Sequence, residues 1–150
     1  MPNWCCNTIT INGDSNALAK FKTYLKSTNF PPKPNFFFRW DINKEDDINF
    51  YTDKIVIKCN TSWQPATEWA YNKSIKFSGI KIKVAYFEGG QGYYGIISYI
   101  NGDEIKSECK YHLINYNDKN DVTYHTVRGC VYSEHIEQFR DEHNIDGYGG

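Results

Sequence analysis

The chain has a single methionine and only three arginines, Arg39, Arg128 and Arg140, against 14 lysines, and a net charge of −1. The near-neutral balance excludes a polyanion binder driven by bulk charge and equally an acidic mimic of nucleic acid. No stretch reaches the roughly 20 apolar residues that a membrane span requires, and Met1-Pro2-Asn3-Trp4-Cys5-Cys6 has neither the basic nor the apolar region of a secretory signal. The expectation is a cytoplasmic protein with no membrane partner. Cysteines are odd in number, 5, without regular spacing, which argues for free thiols rather than a disulfide framework. The excess of Lys over Arg, with much Asn, Ile and Tyr, is what A+T-rich codons produce. It requires no lysine-based site.

Aromatic rings are what the chain has in quantity: 12 Tyr, 9 Phe and 4 Trp, or 17% of 150 residues. A domain of this length buries roughly 68–70% of the surface its unfolded chain exposes, so one core suffices and disorder is excluded. Residues Asn7 to Asn12 alternate as a half-buried strand until Gly13-Asp14. Asp14 or Ser15 then caps a helix whose Leu18, Phe21 and Leu25 share a face. Pro31-Pro32-Lys33-Pro34 is an extended connector. The aromatic run Phe36 to Trp40 precedes strand-like segments at Ile48 to Tyr51 and Lys54 to Cys59. Pro65 is placed at the first position of a second helix carrying Ala66, Trp69 and Ala70. Ile80 to Phe87 and Tyr93 to Ile100 form a hairpin around Glu88-Gly89-Gly90-Gln91-Gly92, closed by the turn dipeptide Asn101-Gly102. Further on, Cys109 to Tyr116 and Val122 to Val131 suggest two strands about Asn117-Asp118-Lys119-Asn120, and Ser133 caps a short helix with Ile136 and Phe139.

The order predicts an α+β fold: a ferredoxin-like antiparallel sheet with two helices on one face over residues 1–105, and a C-terminal β/α extension over residues 106–150 packed on the same domain.

Tests for chemistry return little. Zinc ligands would need short-spaced pairs such as Cys-x2-Cys, and adjacent Cys5 and Cys6 on a strand point to opposite faces. No metal and no cofactor is expected. His135 and His143 lack a metalloprotease pattern, and His112-Leu113-Ile114 and His125-Thr126-Val127 lack the hydroxyl two positions on that two-histidine phosphoesterases carry. A nucleophile elbow is absent, and the Gly-x-Gly of the hairpin loop is not followed by a helix that could hold phosphate. The expectation is therefore a protein with no catalytic residues. Nucleic acid stacking on Tyr86, Phe87, Tyr93, Tyr94 and Tyr99 near Lys81 and Lys83 is the competing reading, although no RNP-like string is present.

Met1-Pro2-Asn3-Trp4-Cys5-Cys6-Asn7-Thr8, Asn60-Thr61-Ser62-Trp63-Gln64-Pro65 and Tyr86-Phe87-Glu88-Gly89-Gly90-Gln91-Gly92-Tyr93-Tyr94-Gly95, followed by Asn101-Gly102, resemble in that order the YubB-type ferredoxin-like domain of phage and plasmid proteins. The resemblance spans about residues 1 to 105, and departs from the family pattern in Gln64-Pro65 and in a shortened middle around Pro31 to Trp40. It implies a mobile-element protein acting in a bacterial host cytoplasm, with no known reaction. Binding to a host or defence-system protein, such as a CRISPR component, follows by analogy of context, with Trp4, Trp63, Glu88, Gln91, Tyr93 and Tyr94 as the expected binding residues. Binding of nucleic acid or nucleotide on the aromatic sheet face is the alternative.

Overall fold

The structure, a computed structural model, describes residues 3–90, 93–111, 115–116, 122–123 and 134–145, with side chains described outside 108–137. Gln91, His112, His125, Cys130, Ser133 and the Asn117 to Asn120 turn lie outside the described residues, as does the side chain of His135. Strand β1 (Trp4–Gly13) is followed by helix α1 (Ser15–Lys26), strands β2 (Trp40–Asp41), β3 (Ile48–Phe50) and β4 (Lys54–Ser62), and helix α2 (Thr67–Lys76). Next come β5 (Ile80–Glu88), β6 (Tyr93–Ile100) and β7 (Asp103–Tyr111), the short pair β8 (Asn115–Tyr116) and β9 (Val122–Thr123), and helix α3 (Glu134–Glu142). The fold is α+β: a 7-stranded open sheet in the order β2-β4-β1-β5-β6-β7, with β3 also on β4 and every pairing antiparallel.

Alternation along the strands builds two cores. Cys5, Ile9 and Ile11 of β1, Ile55, Ile57 and Cys59 of β4, and Ile80, Ile82, Val84 and Tyr86 of β5 share one buried cluster with Leu18, Phe21 and Leu25 of α1 and Trp69 and Ala70 of α2. Alternate residues Cys6, Ala85, Phe87, Tyr94 and Ile96 form a second cluster on the opposite face, against Phe139 of α3 and Ile145. Cys5 and Cys6 thus point to opposite faces, as adjacent strand residues must.

Local signals place α1 where the apolar spacing predicts it. Asp14 caps it by accepting the Ala17 N–H at 2.8 Å. The β6–β7 connection is a two-residue turn with positive φ at both Asn101 (50°) and Gly102 (80°), which is type I′ geometry. The Gly102 N–H donates to Ser74 Oγ at 2.9 Å, tying the turn to α2.

Two expected boundaries move. Helix α2 begins at Thr67 with Ala66 as its cap residue, so Pro65 precedes the helix rather than opening it. The Ala66 N–H is taken at 3.0 Å by Asn7 Oδ1 of β1, and this distant acceptor sets the start. Strand β7 runs through residue 105 as far as Tyr111, and Cys109 is on it instead of opening a later strand.

Candidate functional site

Between α1 and β2 the chain crosses the end of the helix layer and builds an aromatic cleft. The Ser27 N–H and hydroxyl both donate to the Tyr24 carbonyl, at 3.0 and 2.6 Å, ending α1. Lys44 Nζ then donates to the carbonyls of Ser27 and Phe30, each at 2.8 Å, and fixes the turn that buries Phe30. Phe30, Trp40 and Trp69 meet edge-on or tilted, with centroids 5.3 to 5.6 Å apart. Trp69 Nε1 donates to the Tyr24 hydroxyl at 3.1 Å. Burial raises the Tyr24 phenol above its ordinary range, while the Trp69 bond opposes the shift. Lys73 lies 4.6 Å from the Tyr24 ring centre, its ammonium lowered first by desolvation and then by Lys76.

Tyr24, Trp40 and Trp69 of this cluster floor an open cleft of about 480 Å³, walled by Phe37, Phe38, Glu68 and Lys73. The wall is held firmly. Asn35 Oδ1 accepts the N–H groups of Phe37 (2.9 Å) and Phe38 (2.6 Å), and the Asn35 N–H donates to the Phe38 carbonyl at 3.1 Å. The end of β4 completes the hold: Ser62 Oγ accepts the Arg39 N–H at 2.7 Å, and the Ser62 N–H donates to the Arg39 carbonyl at 3.0 Å. On this pinned loop Phe36 and Phe37 stand 84% and 75% exposed, their rings in a T-shaped pair with centroids 5.0 Å apart.

Immediately after β4, Trp63 adopts φ 70°, a left-handed backbone costly for a bulky residue, on the order of 1–3 kcal/mol. Two bonds hold it there: its N–H donates to the Asn3 carbonyl at 2.8 Å, and its carbonyl accepts the Tyr93 hydroxyl at 2.9 Å. The indole remains 46% exposed.

The other expected binding residues are placed differently. Glu88 is fully buried, with Oε1 accepting the Gly90 N–H at 2.8 Å, so the carboxylate closes its own loop instead of facing a partner. Tyr94 is 4% exposed because α3 covers it, its ring 4.7 Å from that of Phe139. Tyr93 is half-buried and acts through its bond to Trp63, whereas Trp4 is half-buried on the opposite face of β1 from Cys5. Gln91 lies outside the described residues. The structure thus joins Trp63 to Tyr93 and adds Phe36 and Phe37. The dense run Phe36 to Trp40 was the available signal for these two, but it does not say which rings turn outward.

The aromatic and lysine halves of the nucleic-acid reading separate across the sheet. Tyr86, Tyr93 and Tyr99 share the α1–α2 face, Lys81 and Lys83 occupy the other, and Phe87 and Tyr94 are buried beneath α3. Thiol nucleophiles are also ill served. Burial is the largest cause that raises the Cys5 and Cys59 thiols far above their ordinary value, with nearby Cys6 and Glu88 adding to the effect at Cys5 and with Cys5 and Asp47 adding at Cys59.

Those thiols make stability depend on alkaline pH. The folded chain holds protons that the unfolded chain releases above about 9.0, so stability is intact below that pH and is lost as pH rises. Tyr24, Tyr93 and Tyr99, all raised by burial, add the same sign above 10.0. Lys73 and Lys83 oppose it, because their lowered values mean the folded state sheds charge below the unfolded 10.5. The deeper burial of the thiols should dominate: the thermal midpoint should hold from neutral pH to about 8.5 and fall above 9. A midpoint that climbs through pH 10 would contradict this.

No family model, curated protein or solved structure matches the chain. Among the described residues no group of three His, Cys, Asp or Glu side chains could hold a metal ion, and no helix is long and apolar enough to cross a membrane.

Proposed function

We propose that this protein is a non-enzymatic binding module that captures a partner protein on the aromatic rim formed by Phe36, Phe37 and Trp63. The observation that carries the reading is the pair Phe36 and Phe37, largely exposed on a loop that hydrogen bonds keep from folding inward. Exposed rings on a fixed backbone lose little entropy on binding, which is the economy of an interface hot spot. The cleft beside them, floored by Trp40 and Trp69, suits an apolar side chain of the partner, with Gln64 and Asn72 at hand for its backbone.

The strand order β3-β4-β1-β5, with α1 leading from β1 toward β3 and α2 joining β4 to β5, supports a ferredoxin-like core extended by β6 and β7. The YubB-type resemblance supports a phage or mobile-element origin. On that reading the protein works in the bacterial host cytoplasm and its partner is a host or defence-system protein, such as a CRISPR component.

Capture from bacterial lysate identifies the partner, and titration of that purified partner tests the surface. Phe36→Ser/Phe37→Ser should weaken binding on the order of 100-fold, taking about 1.4 kcal/mol per ring at the low end of hot-spot losses. Folding should be little affected, since both side chains face water. Affinity within threefold of the parent protein would refute this surface.

A further inference from the structure

Helix α3 covers only part of the sheet face opposite α1 and α2, over Cys6, Phe87, Tyr94 and Ile96. The register shows what the rest of that face carries. Lys83 sits in one cross-strand row between Thr10 and Ser98, and Ser98 faces Lys106 on β7. One step along β5, Lys81 lies opposite Asn12, which is itself opposite Lys54. Residues two apart on a strand are about 7 Å apart and neighbouring strands about 4.8 Å, so each of the four lysines lies within roughly a Debye length of its nearest neighbour, while Lys54 and Lys106 stand at opposite ends of the row. The crowding is felt at Lys83. Its ammonium is lowered by desolvation first and then by Lys81, Lys106 and Lys54.

No ion pair relieves Lys81, Lys83 or Lys106 among the described residues, and Lys81 and Lys106 are exposed. No two of these lysines are directly opposite across a strand pair, and Asp103 of β7, across Ile100 from Lys81, offsets part of their charge; the lysines left uncompensated repel one another at a distance. A ligand that brings a regular row of negative charge would turn the repulsion into attraction. We infer that this lysine-bearing half of the sheet is a docking surface for the phosphodiester backbone of nucleic acid, held without regard to base sequence. Charge complementarity selects the backbone, and Thr10 beside Lys83 and Asn12 between Lys54 and Lys81 offer neutral hydrogen-bond partners to phosphate oxygens. Base stacking has no part in it, because the sheet tyrosines Tyr86, Tyr93 and Tyr99 are on the other face. The near-zero net charge is no obstacle, since the local field rather than the total sets such binding.

The test is fluorescence anisotropy of a labelled single-stranded oligonucleotide of mixed sequence, about 20 nucleotides long, between about 50 and 200 mM salt. Four contacts at about −0.7 each predict a log–log salt slope near −3. Lys81→Gln/Lys83→Gln/Lys106→Gln should bring the slope to about −0.7 and weaken binding at least tenfold at the low-salt end. Its unfolding midpoint, measured alongside, should equal or exceed that of the parent protein, because repulsion is relieved. Lys106→Glu alone, at an exposed position, should weaken binding severalfold. Phe36→Ser/Phe37→Ser should bind the oligonucleotide as the parent does, so failure of the aromatic rim and failure of this surface are read separately. Absence of binding at low salt, unchanged affinity in the triple variant, or binding to phosphatidylserine vesicles but not to the oligonucleotide would each overturn the inference.

Discussion

Replacing Asn7 with leucine is expected to lower folding stability by about 4 kcal/mol, and the thermal midpoint by roughly 8–16 °C for a chain of this length. Asn7 is 3% exposed and joins three segments. Its Nδ2 donates at 2.9 Å to both the Cys5 carbonyl and Thr61 Oγ1, and its Oδ1 accepts the Ala66 N–H at 3.0 Å. Ala66 has no side chain with which to cap α2, so this contact from β1 does the work of a cap. Leucine matches the volume but leaves a buried N–H and two acceptors without their partner, each costing about 1–3 kcal/mol before relaxation. Asn7→Asp keeps an acceptor for Ala66 and turns an oxygen toward the Cys5 carbonyl, so it should also destabilise. Asn12→Leu, at an exposed position on the same strand, is the control and should change stability by no more than about 0.5 kcal/mol. Urea unfolding measures all three. A loss below about 1 kcal/mol for Asn7→Leu would show that the network contributes little.

Trp69→Ala should cost a similar amount, about 3–5 kcal/mol. The indole touches rings from three other segments, with centroids 6.1 Å from Phe21, 5.6 Å from Phe30 and 5.3 Å from Trp40. Removing it opens space continuous with the cleft, where helix α1, helix α2 and the aromatic loop converge. Trp69→Phe separates packing from polarity: it keeps a ring but drops the N–H that donates to the Tyr24 hydroxyl, and should cost about 1–2 kcal/mol. Because Trp69 also floors the cleft, Trp69→Phe should reduce partner affinity while the chain stays folded. Urea unfolding and partner titration on the same variants distinguish the two effects. An alanine variant as stable as the parent would mean that the cluster is not an essential part of the core.

The elements most legible in sequence were those with local causes. The apolar spacing of Leu18, Phe21 and Leu25 behind Asp14 needs only one helix and its cap, and Asn101-Gly102 needs only the backbone freedom of a type I′ turn. The candidate site was legible in part. Trp63 and Tyr93 stand out as residues, but the bond between the Tyr93 hydroxyl and the Trp63 carbonyl joins positions 30 apart, and no short motif encodes it. Glu88 and Tyr94 read as loop and hairpin residues open to a partner. Glu88 is instead enclosed with its carboxylate turned back on Gly90, and α3 covers Tyr94.

Periodicity, capping and turn chemistry are enough to specify the α+β class, the first helix, the hairpin turn and the alternation that gives each strand two chemically different faces. What covers each face depends on packing between elements distant in the chain. Period-two alternation fixes that Tyr93 and Tyr94 point opposite ways, but only packing puts one beside Trp63 and the other beneath Phe139. For the same reason Lys54, Lys81, Lys83 and Lys106, scattered along the chain, become one charged surface only when β4, β1, β5, β6 and β7 pair in register.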